Sequence, residues 1–157
     1  MRISCRYFFV LSVCVALCGV NIRTAYALDE SCIYNAVASL STLQKNNVAS
    51  RLKSNFSILS LAKAAYGGGA KWKANPDDHE AILARFADTA LLERLYKELD
   101  AYKDVTKIKF VEVTPTKIIA LITAGGKRKT VTFFGKEGSC RFNNMCVKGA
   151  GCVHELF

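Results

Sequence analysis

About two-thirds of the way along this 157-residue chain the spacing of apolar residues changes from a helical repeat to alternation. That switch restricts the fold more than any other feature. Up to about Tyr102 apolar residues recur every three or four positions; from Lys107 they recur every second position. Helices first and then a run of short strands predict an α+β domain.

In the helical part, Cys32–Leu43 carries Ile33, Val37, Leu40 and Leu43 on one stripe. Val48–Tyr66 has a looser stripe, with Leu52, Phe56 and Leu59, and Gly67-Gly68-Gly69 ends it. The clearest helix opens at Asn75-Pro76, with Asp77, Asp78 and Glu80 facing its positive end. It runs to Tyr102 through Ile82, Phe86, Leu91, Leu95 and Leu99. A helix of about 27 residues spans roughly 40 Å, more than a small domain's diameter, so a bend or break is expected near Thr89. In the strand part, turns at Thr114-Pro115, Gly125-Gly126 and Gly135–Gly138 separate four strands, the last running from Cys140 to Val147. The expected architecture is N-terminal helices, with one long helix packed on a curved four-stranded antiparallel sheet, cone-like around an apolar interior.

Residues 1–27 read as a signal peptide. Arg2 and Arg6 precede the apolar run Tyr7–Val20, and Ala25-Tyr26-Ala27 is an A-x-A cleavage signal. The run is shorter than the roughly 20 residues of a membrane span. Export follows, with residues 28–157 as one domain. That domain has 19 basic and 13 acidic residues, a net charge of +6, which suits an anionic lipid surface or head group better than nucleic acid. It keeps Cys32, Cys140, Cys146 and Cys152. In an exported chain an even cysteine count predicts disulfides. Cys140 and Cys146 lie about 20 Å apart along one strand, too far to join, whereas Cys146 and Cys152 flank the turn Gly149-Ala150-Gly151. Cys146–Cys152 with Cys32–Cys140 is the expected pairing, and four free buried thiols are the alternative.

No catalytic constellation emerges. His79 reads as a solvated residue at a helix start, and His154 lies beside the chain end. The cysteine spacings are not those of a zinc site, and the triple glycine lacks the strand and the Lys-Ser/Thr of a phosphate loop. No enzyme activity, metal or cofactor is expected.

The order of several short motifs resembles the MlaC family of exported phospholipid-binding proteins. The motifs are Phe56-Ser57-Ile58 with Leu61-Ala62, Tyr66-Gly67, Lys71-Trp72-Lys73, then Phe86, Leu91-Leu92, Tyr96, Leu99 and Tyr102, then Val131-Thr132-Phe133 and Arg141–Ala150. Asn144 and Lys148 stand where the family signature has Asp and Glu.

The resemblance implies a periplasmic carrier that shuttles phospholipid between membranes. Its partners would be an inner-membrane ABC permease complex and an outer-membrane lipoprotein complex. Phe56, Tyr66, Trp72, Phe86, Leu95, Tyr96, Phe110 and Phe133 would line the lipid, and Arg51, Lys71 and Lys73 would meet the head group. Such a carrier keeps acyl chains out of water, where each CH₂ costs about 0.8 kcal/mol. The alternative reading is a disulfide-stapled interaction domain with a filled core and no lipid transport.

Overall fold

The computed structural model describes residues 28–157. The expected signal peptide lies outside them. Helix α1 (Glu30–Ser41) starts at Asp29, whose carboxylate accepts the Cys32 amide at 3.1 Å. Hydrogen bonds from Ser31, chiefly, and from that amide hold the Asp29 carboxyl below its usual pKa.

The stretch expected as one helix over Val48–Tyr66 is two, α2 (Val48–Asn55) and α3 (Ile58–Ala65). Between them Phe56 is extended and forms a parallel bridge with Phe142, and the Ser57 amide donates to the Phe142 carbonyl at 2.8 Å. A sheet hydrogen bond here replaces the helical ladder, which apolar spacing alone does not signal. Ser57 then caps α3 through its hydroxyl.

Helix α4 (Gly69–Ala74) follows the glycines. The single long helix is also corrected. A 3₁₀ turn (Pro76–Asp78), helix α5 (His79–Ala84) and a second 3₁₀ turn (Arg85–Ala87) lead to Asp88, which leaves helical geometry with ψ 126°. Helix α6 (Thr89–Asp100) starts afresh, with the Asp88 carboxylate accepting the Leu91 amide at 2.9 Å. The break falls beside Thr89, where the length argument puts it.

The sheet has five strands in the order β1 (Val105–Thr114), β2 (Lys117–Ala124), β3 (Lys127–Lys136), β4 (Ser139–Val147) and β5 (Gly151–Cys152). All neighbours are antiparallel and the sheet is not closed. The fifth strand, absent from the expected meander, is two residues long and pairs Cys152 with Cys146. The expected Gly135–Gly138 turn is shorter, because β3 continues through Gly135.

Alternation gives the sheet two different faces. Ile118, Ala120 and Ile122 of β2, Val131 and Phe133 of β3, and Met145 of β4 point into the core. Ile33 of α1, Leu52 of α2, Leu61 of α3, and Leu95 and Leu99 of α6 complete it. Both expected disulfides form, Cys32–Cys140 tying α1 to β4 and Cys146–Cys152 joining β4 to β5. A C-terminal 3₁₀ turn (Val153–Leu156) brings Phe157 onto Phe86, their rings stacked at 4.3 Å. Among the described residues no helix is long and apolar enough to cross a membrane.

Candidate functional site

The apolar interior lies between α1, α6 and the inner face of the sheet. Ala36, Val37 and Leu40 face Leu99, Tyr102, Ile122, Val131, Phe133 and Met145 across a cavity of about 30 Å³. A second cavity of about 80 Å³ lies towards the C-terminal turn, and Leu99, Tyr102 and Met145 line both. Pockets that hold small ligands measure about 300–1,000 Å³. The interior is therefore a packed core with gaps of a few waters' size. Burial, with a smaller contribution from Glu98, raises the pKa of the Tyr102 phenol above its usual value.

The eight aromatic and aliphatic residues expected to line a lipid do not converge. Phe56 and Phe133 line the first cavity and Leu95 the second. Phe86 is spent on Phe157. Phe110 meets Tyr34 of α1 edge-on at 5.7 Å. Tyr96 is half-buried and packs against the core, with its hydroxyl accepting from Lys103 and its ring lying under the same ammonium. That ammonium is also paired with Asp100. Trp72 is buried in the core and meets Tyr66 edge-on beside α5, away from both cavities. There the Tyr66 hydroxyl donates to Asp78, which raises its pKa. His79, read as a solvated helix-start residue, instead stacks on Trp72 at 3.8 Å, with Nε2 2.7 Å from the Trp72 carbonyl oxygen.

The expected head-group cations are dispersed too. Arg51 donates to the Thr42 hydroxyl at 2.8 Å, Lys71 lies over the Tyr66 ring, and Lys73 is solvent-exposed on α4. Cations do converge elsewhere. Lys53, Lys136 and Arg141 line an open groove of about 700 Å³ with Ser57, Ser60 and Ser139. Ile58 and Leu59 supply its apolar part, and Leu59 is 48% exposed. None of the three cations has a carboxylate partner among the described residues. The buried Phe56 lines this groove as well as the first cavity, so one side chain separates the apolar interior from a cationic surface. Sequence spacing hides the trio, since 83 residues separate Lys53 of α2 from Lys136 of β3, and the Phe56–Phe142 bridge helps bring the two regions together.

Asp29, Cys32 and Cys140 place potential metal-ligand atoms within 4.8 Å of one another, but both sulfurs are consumed in the disulfide. No family model matches the sequence. No curated protein and no solved structure matches it either.

Proposed function

We propose that the protein is an exported, disulfide-stapled binding domain that works through its surface and uses its interior only as a core. The observation that carries this reading is the size of the interior cavities, about 30 and 80 Å³, well below the smallest usual ligand pocket of about 300 Å³. Two disulfides fit an oxidising compartment.

One observation favours the second reading, a periplasmic phospholipid carrier of the MlaC type serving an ABC transport system. Phe56 stands between an apolar interior and a groove holding three unpaired cations, the layout an acyl chain with an anionic head group requires. Rotation of Phe56 would have to be joined by displacement of α1 or α6 to make room.

Extraction of the secreted, oxidised protein with organic solvent separates the two. The surface-binding reading expects no co-purifying phospholipid and no uptake of a labelled phospholipid by the purified protein. Equimolar phospholipid in the extract would overturn it in favour of the carrier.

A further inference from the structure

The outer face of the sheet, turned away from the helices, carries an ordered array of charge. Lys107, Thr123 and Arg128 are register partners in one row across β1, β2 and β3. Lys109, Leu121 and Thr130 form the next row. Lys148 extends it, since its amide donates to the Thr130 carbonyl at 3.0 Å. Lys127 and Lys129, register partners of the inward-facing Ala124 and Ile122, point to the other side at the β2–β3 hairpin tip and stand outside this array. The four cations of the array, Lys107, Lys109, Arg128 and Lys148, are exposed, and none has a carboxylate within 4.0 Å among the described residues. Glu112, the acid on this face of β1, is occupied by Lys117 at 2.6 Å.

We propose that this end of the outer sheet face docks the protein on an anionic bilayer surface. The cations span β1 to β3 and reach Lys148 just past the end of β4, with about 10 Å from Lys107 to Arg128 at normal strand spacing. They form a two-dimensional patch, not a track. The depression between Lys107, Lys109 and Arg128 is only about 170 Å³ and has no aromatic lining. That is small for a soluble ligand, and it lacks the stacking platform that single-stranded nucleic acid uses. A broad patch of unpaired lysine and arginine around half-buried Leu121 matches a surface of anionic head groups, which attracts each nearby cation by about fivefold in affinity. Docking of this kind goes beyond the surface-binding reading and does not depend on whether the interior takes a guest.

Vesicle co-sedimentation of the secreted, oxidised protein tests it. Binding to equimolar phosphatidylglycerol–phosphatidylcholine vesicles is expected, with little to pure phosphatidylcholine and a steep loss on adding salt. A Lys107→Gln, Lys109→Gln, Arg128→Gln variant should bind on the order of a hundredfold more weakly. A variant with the same charge loss on the helical side (Arg85→Gln, Arg94→Gln, Lys97→Gln) should bind like the parent. Circular dichroism melting checks that each variant folds; if the triple variant does not, the three single changes should each weaken binding about fivefold.

Equal loss in both triple variants would overturn the assignment to this face. Equal binding to neutral vesicles, or binding to heparin or single-stranded DNA without binding to anionic vesicles, would overturn the bilayer as the partner. Solvent extraction reports on the interior alone, so failure here and failure of the surface-binding reading are read separately.

Discussion

Gly135 sits near the end of β3 with no room for a side chain. A Cβ built on it would lie 3.0 Å from both terminal methyl groups of Leu28. The glycine is needed for close approach, not for a turn, which corrects its reading as a loop residue. Gly135→Ala requires the Leu28 side chain to give by a few tenths of an ångström, and since Leu28 is itself buried the expected cost is the low end of overpacking, about 1 kcal/mol. Thermal melting should show a clear fall in midpoint. Gly126→Ala at the hairpin tip is a useful contrast, because its Cβ would meet open space but its φ of 73° strains any other residue. Loss there would come from the backbone and leave the packing around Leu28 untouched. The sequence marks both as glycines between strands; only the partner across the fold tells them apart.

The two disulfides hold very different lengths of chain. Cys32–Cys140 closes a separation of 108 residues and ties the first helix to the fourth strand. Cys146–Cys152 closes six and pins a strand that is only two residues long. Loop-closure entropy makes the first worth roughly 5 kcal/mol and the second roughly 2. Replacing Cys32 and Cys140 together by serine should therefore lower the denaturant midpoint more than replacing Cys146 and Cys152, as measured by urea unfolding. Equal losses would mean that the unfolded chain is not the main term. The second pair still has a local role, since β5 leads into the turn that delivers Phe157 to Phe86.

Across the molecule, features set by nearby residues are readable from sequence, and those set by distant partners are not. The change of period near residue 103, the break before Thr89 and the Cys146–Cys152 pairing follow from local spacing, and the Cys32–Cys140 pairing follows from the two cysteines that remain. They appear as the α-to-β switch, the Asp88 kink and the two bridges. The split at Phe56, the fifth strand and the cationic groove depend on Phe142, Cys146 and Lys136, which lie far along the chain or across a turn. Aromatic residues also mislead, because the same ring type serves as core, as a stacking partner for His79 or as a seat for a lysine.

Leu28 has a consequence for maturation. It is 2% exposed and lies against Gly135, one residue after the predicted cut at Ala27. A product beginning at Asp29 would lose a buried side chain worth about 1.5–3 kcal/mol. Amino-terminal sequencing of the secreted protein should read Leu-Asp-Glu, and a recombinant version starting at Asp29 should melt at a lower temperature than one starting at Leu28. A cut at the predicted site would fall next to this hydrophobic lock on β3, so a ragged start would be registered directly as a loosened fold.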